Sequence, residues 1–195
     1  HSISVLETHA SWGAFTEKSC IHHDLTSTTL SLQHAEFCKN RLHNVPFPIN
    51  YQIKTKKYCY DSYREFDAVV SILPDVLHKR DWHHYLHYIE QHLKQRGIAI
   101  LQLIFDQSTP HKTIGSLLTK YGFRILEHSS INHDAAKTYR YWLNNFSANY
   151  HQLEKHGFSE RYTVTLSLLD PTFVPGNKRY DRALWCLSQR TEKFH

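Results

Sequence analysis

The sequence predicts an α/β domain built on a mostly parallel sheet with helices on both faces, and three observations carry that expectation. Ser4-Val5-Leu6-Glu7-Thr8 leads into a bend at His9-Ala10-Ser11-Trp12-Gly13, a first strand feeding a first turn. In an open α/β sheet that is where a nucleotide-like cofactor sits. Residues 66–73 form a nearly unbroken apolar run, the pattern of a parallel strand buried on both faces. An amphipathic stretch and a second apolar run at 98–105 follow, and strand, helix, strand at this spacing is a right-handed crossover.

The elements follow in order. Residues 2–7 read as a short β-branched strand, and 14–19 leave room for a turn or two of helix. Residues 20–25 read as a weak second strand, after which Thr26, Ser27, Thr28 and Thr29 offer helix N-caps. The next helix spans about 30–42, with Ala35, Cys38 and Leu42 on one face, and Pro46 and Pro48 end it. Residues 51–55 alternate polar and apolar as a third strand. After the strand at 66–73, stopped by Pro74, a helix over 81–96 carries Trp82, Tyr85, Leu86, Ile89 and Leu93 and ends at Gly97. A short helix at 113–120 stops at Gly122, and 123–127 form a sixth strand. One long helix is expected over 135–156, with Tyr139, Trp142, Leu143, Phe146, Tyr150 and Leu153 at helical spacing, and a second helical stretch over 159–169. A turn-rich loop at 170–177 leads to a final strand at 183–188.

Composition narrows the function classes. The 195 residues suit a single domain large enough to bury its own core. No apolar run approaches the roughly 18 residues of a membrane span. The chain starts at His1 and holds no Met, so we expect a preceding N-terminal segment in the full protein. Four cysteines without a CxxC pattern point to a reduced, cytoplasmic protein. The net charge of +5 is dispersed rather than gathered into a block, which argues against a nucleic-acid partner.

Several of these strings resemble one family, the S-adenosylmethionine-dependent methyltransferases related to cyclopropane-fatty-acid (mycolic-acid) synthases. Val5-Leu6-Glu7 through Trp12-Gly13 resembles the family's acidic, glycine-rich turn. Ser31-Leu32-Gln33 and Phe37-Cys38-Lys39-Asn40-Arg41 resemble its second helix, and Phe66-Asp67 the start of its fourth strand. Ala136-x-Thr138-x-x-x-Trp142, Ser159-Glu160-Arg161-Tyr162 and Leu184-Trp185 are the most specific strings. The resemblance implies a Rossmann-like class I methyltransferase fold of seven strands, the last antiparallel, with a helical insertion at about 133–169.

The positions the resemblance assigns to function are altered. The glycines of the first turn fall on His9 and Ser11, and only Gly13 is kept. The adenine-facing Asp falls on Tyr58, with Asp61 nearby. The family's Glu, His and Tyr, which resemble a site for a bicarbonate base, fall on Asp75, Gln102 and Ala135. Methyl transfer to an alkene needs a placed base, because the carbocation must lose a proton. Gln102 and Ala135 offer none. We therefore expect no catalytic residue and no bound cofactor, and a module that works by binding a protein partner. The alternative is an active methyltransferase for a lipid or small molecule that binds S-adenosylmethionine through Glu7, Gly13, Asp61 and Asp75. A fold that keeps an apolar ligand lies between them.

Other candidate sites are weighed lower. Glu7 at a strand end suits a solvated carboxylate better than a ribose ligand. His22-His23-Asp24 and His83-His84-x-x-His87 suit a histidine-rich surface better than zinc, so no metal is expected. Cys38 suits the core better than a nucleophile, and so does the aromatic stripe of residues 139–153. Tyr58, Tyr60, Tyr63 and Phe66 suit either a filled adenine site or a binding patch.

Overall fold

The computed structural model describes residues 1–46, 48, 50–55, 65–72, 79–106, 111–155 and 180–189. Seven strands form one sheet: β1 (Ser4–Thr8), β2 (Asp24–Thr28), β3 (Asn50–Lys54), β4 (Phe66–Ile72), β5 (Leu93–Asp106), β6 (Phe123–Ser130) and β7 (Tyr180–Gln189). Their order is β3-β2-β1-β4-β5-β7-β6. The first five run parallel, and β7 lies antiparallel between β5 and β6. The helices are α1 (Ala14–Ser19), α2 (Leu32–His43), α3 (Lys79–His92), α4 (His111–Lys120), α5 (Asn132–Ala148) and α6 (Tyr150–Lys155).

Strand alternation sends side chains to two faces. Leu6, Val69, Ala99, Leu101 and Leu103 turn to one face, where Tyr85, Leu86 and Ile89 of α3 and Ile114 and Leu118 of α4 complete the larger core. Val5, Leu25, Ala68 and Val70 turn to the other, against Cys20 after α1 and Leu42 of α2. The two clusters together bury both faces of β1 and most of β4, which explains the nearly unbroken apolar run there.

Four expectations need correction. The second strand is Asp24–Thr28, not 20–25, because Cys20 closes α1 through its N–H to the Thr16 carbonyl. Thr26, Ser27 and Thr28 are therefore buried strand residues rather than helix caps. The cap of α2 is Ser31, whose Oγ accepts from the His34 N–H at 3.2 Å. The third helix stops at His92, not Arg96, because Leu93 already pairs with Phe66. Arg96 then bends the chain at φ 61°, and Gly97 keeps the close approach: a Cβ there would stand 2.8 Å from Leu93 Cδ1 and the Lys94 carbonyl. Gly97 is a packing glycine, not a helix stop.

The last correction concerns residues 135–156, expected as one helix. They divide into α5 and α6 at Asn149, whose Nδ2 donates to the Asn145 carbonyl at 2.8 Å. An Asn side chain competes with the helical backbone for such bonds. The expected helix at 159–169 and the loop at 170–177 lie outside the described residues.

Candidate functional site

The first turn is the natural starting point. His9, Ser11 and Gly13 have φ of 62°, 48° and 74°, so alternate residues of the bend are left-handed. Glycine enters that region freely, whereas a Cβ makes it costly. The turn is pinned at both ends: the Ala10 N–H donates to the Thr28 carbonyl at 2.8 Å and the Gly13 N–H to the Ala10 carbonyl at 2.8 Å. From α2, Cys38 Sγ donates to the Ser11 carbonyl at 3.3 Å. Gly13 cannot change for a second reason, since a Cβ on it would stand 2.7 Å from Cys38 Sγ. The bend thus keeps the backbone path that glycines allow, while two of its left-handed positions carry side chains.

Those side chains and their neighbours form a polar seam at the ends of β1 and β4. Thr8 Oγ1 donates to Ser71 Oγ at 2.5 Å, and His9 Nδ1 lies 3.3 Å from Thr8 Oγ1. The His9 ring is 6.4 Å from that of Tyr85 on α3. Beyond the turn, Trp12 is 53% exposed and packs against His34 at 4.2 Å, tilted, and edge-on against Phe37 at 5.2 Å.

Glu7 does not end in solvent, which corrects the expectation for it. It is buried, with its Oε2 accepting from Thr16 Oγ1 of α1 and from Ser27 Oγ of β2, the latter at 2.8 Å. Thr16 and Ser27 are themselves 2.8 Å apart. Burial raises the Glu7 pKa, opposed by the two hydroxyl donors. The carboxylate therefore ties β1, α1 and β2 together. No sequence periodicity links Thr16 and Ser27 to Glu7, so this seam was legible only as three separate polar residues.

The other candidates are scattered. Gln102 is half-buried on β5, paired with Ile72 of β4 and Leu184 of β7. Ala135 is half-buried in the first turn of α5. Asp61 and Asp75 lie outside the described residues, as do Tyr58, Tyr60 and Tyr63. Cys38 is fully buried, and burial raises its thiol pKa. His83 Nδ1 meets the Tyr121 hydroxyl, and His87 faces Glu90 at 3.6 Å. Among the described residues no three His, Cys, Asp or Glu are placed to hold a metal ion.

The stripe on α5 is not core, which corrects another expectation. Among the described residues of α5 only Ala136 is buried, and Trp142 is 59% exposed. Tyr139, Leu143 and Phe146 are half-buried, and Tyr139 packs edge-on against Trp142 at 5.4 Å. No helix among the described residues is long and apolar enough to cross a membrane.

Comparison with known proteins fits this geometry. Residues 2–117 match the family model described as mycolic acid cyclopropane synthetase, and residues 144–195 match that of the ribonuclease P 40 kDa (Rpp40) subunit. No curated protein matches the chain. Among solved structures, the cyclopropane synthase MmaA2 from Mycobacterium tuberculosis is 15% identical with a TM-score of 0.80, over 96% of this chain and 78% of that one. Mycolic acid cyclopropane synthase CmaA1, complexed with SAH and CTAB, is 16% identical at 0.81, over 96% and 78%. Coclaurine N-methyltransferase, bound to N-methylheliamine and SAH, is 15% identical at 0.70, over 96% and 66%. Identities this low speak for the fold alone, and that fold is the class I methyltransferase sheet with its antiparallel β7. The family model spans more than half of the sequence and starts at the strand that leads into the left-handed turn, so the chain belongs to the mycolic acid cyclopropane synthetase family.

Proposed function

We propose that this chain is a non-catalytic member of its family, a single cytoplasmic domain that serves as a protein-interaction or scaffold subunit. The observation that carries the reading is the first turn. His9 and Ser11 hold left-handed backbone where the resemblance has glycines, and their side chains take room that a bound nucleotide needs as bare backbone. S-adenosylmethionine fits these residues poorly: the Glu7 carboxylate faces inward onto Thr16 and Ser27 rather than outward to a ribose. Gln102 and Ala135 lack the basic and hydroxyl groups that would hold a base. The match of residues 144–195 to a family described as a ribonuclease P subunit also favours work within an assembly.

Calorimetry with S-adenosylmethionine and S-adenosylhomocysteine tests the reading. No saturable heat is expected from either; tight binding of either by the protein would overturn the proposal.

A second reading, an S-adenosylmethionine-dependent methyltransferase for a lipid or small molecule, rests on the same bend. Its backbone path is still the one glycines allow, and the related CmaA1 was solved with SAH and CTAB. In that case the His9→Gly, Ser11→Gly double variant should gain cofactor affinity. On the first reading the double variant regains room, but the inward-turned Glu7 still withholds a ribose contact.

A further inference from the structure

A cavity of about 390 Å³ lies between the last turn of α1, the chain just after it and the C-terminal end of α2. Residues 9–13 contribute nothing to its lining, so it is separate from the first turn. Its apolar lining is Ile21, Val45 and Pro46. All three stand where a helix has just stopped: Cys20 closes α1, and the Val45 N–H returns to the Leu42 carbonyl at 3.0 Å as α2 ends.

The polar lining carries more positive than negative charge. Among the described residues Glu17 is its one acidic group, and Arg41 already answers it. Arg41 Nε donates to Glu17 Oε2 at 2.8 Å, and Nη2 stands 2.7 Å from the same oxygen. Arg41 Nη1 also reaches the Trp12 carbonyl at 3.4 Å. The guanidinium is thus held from two directions, with N–H donors to spare. Lys18 makes no hydrogen bond or ion pair among the described residues, and neither does the Asn44 side chain. His22 completes the polar lining.

We propose that this cavity binds a small organic anion, a carboxylate or phosphate on a compact apolar body. A concave, partly apolar site with a few convergent polar groups is what small ligands use, and its volume falls in their range of roughly 300–1,000 Å³. Its eight lining residues are too few to dock a protein chain, whether a partner's or this one's, since a stable interface engages about 20–30 on each side. Lys18 and the spare donors of Arg41 take the anionic group, and charge-assisted bonds of this kind are the strong ones. Helix C-termini favour cations, but α1 has only six residues, and the roughly half charge ending α2 is less than the unit charge of Lys18. Such a site does not depend on the first turn, so cofactor binding in the calorimeter leaves it untouched.

Amide resonances of the isotope-labelled, full-length protein read the binding of hydrocinnamate, inorganic phosphate and phenethylamine. Hydrocinnamate should give saturable shifts at Lys18, Ile21, Asn44 and Val45. Phosphate alone should shift the same amides more weakly and be displaced by hydrocinnamate, and the amine should shift none. Lys18→Glu should weaken hydrocinnamate binding about fivefold or more. Lys39→Glu makes the same charge change on α2 outside the cavity and should leave binding within about twofold. Glu17→Gln releases Arg41 and should tighten binding about threefold, a gain that misfolding cannot imitate.

Equal shifts with the amine, equal losses in the two lysine variants, or weaker binding in Glu17→Gln would overturn the proposal. So would the absence of shifts at these amides in the full-length protein, whether the cavity rejects anions or a segment preceding His1 fills it. Should Lys18→Glu unfold, the gain in Glu17→Gln decides alone.

Discussion

Ser11→Gly isolates the strain in the first turn. Ser11 sits at φ 48°, where an L-residue is disfavoured by roughly 1–2 kcal/mol. Its side chain makes no hydrogen bond among the described residues, and the bond it does support, from Cys38 Sγ, ends on its carbonyl and survives the change. Against the relief stands glycine's larger freedom in the unfolded chain, roughly 0.5–1 kcal/mol. The net expectation is a gain of about 0.5–1 kcal/mol, or a rise of about 1–4 °C in melting temperature for a chain of this size. Urea titration and calorimetry on the wild type, Ser11→Gly and Ser11→Ala measure it. Ser11→Ala keeps the Cβ and therefore the strain, so it should stay within about 0.5 kcal/mol of the wild type. A loss of stability in Ser11→Gly, or an equal gain in Ser11→Ala, would refute the argument that the Cβ at a left-handed position is what costs energy there.

Three further perturbations follow from the same structure. Gly13→Ala and Gly122→Ala both place a Cβ at positive φ, but only the first also meets Cys38 Sγ at 2.7 Å, while nothing lies within 4 Å of the second. Gly122→Ala should cost about 1 kcal/mol and Gly13→Ala at least about 2 kcal/mol more, by chemical denaturation. Glu7→Gln removes a buried charge, and its sign can be worked out. The folded pKa of Glu7 is raised, so the folded state binds the proton more tightly, and the ionised group weakens the fold as pH rises above its unfolded value of 4.5. Glu7→Gln should be the more stable protein at pH 7.5, by about 1 kcal/mol, with the gap closing toward pH 4.5 in melting curves.

Asp67 behaves in the opposite way. Lys94 at 2.7 Å and the backbone and hydroxyl of Ser4 lower its pKa from 3.8 to about 2. Its stabilisation is therefore complete above about pH 4 and disappears as pH falls toward 2. Its side chain is 38% exposed, which discounts the contribution to about 1 kcal/mol. Asp67→Asn should lose that amount at neutral pH and nothing at pH 2, as read from denaturation midpoints.

Much of the fold was legible because burial writes itself into composition. The runs at 66–73 and 98–105 are apolar but for Asp67, Ser71 and Gln102, because helices or neighbouring strands cover both sides of most of β4 and one side of β5. The short first helix is equally plain from 14–19. Boundaries were less legible where two elements compete for the same residues. Thr26, Ser27 and Thr28 suit a cap or a buried strand, and pairing of β2 with β1 and β3 decided for the strand. Leu93 continues the apolar face of α3, yet it begins β5 because Phe66 is there to pair with it.

The sequence by itself determined the order of strands and helices, the crossover at its centre, and the replacement of the glycines at His9 and Ser11. Tertiary structure alone decided what those replacements do. A left-handed φ is a property of the path through space, held at the bend by the Thr28 carbonyl and Cys38, and no spacing of residue types encodes it. The same is true of Glu7, whose environment is made by Thr16 and Ser27, brought together only when α1 closes over the sheet. Local pattern records whether a residue prefers burial, whereas packing determines which neighbour it is given.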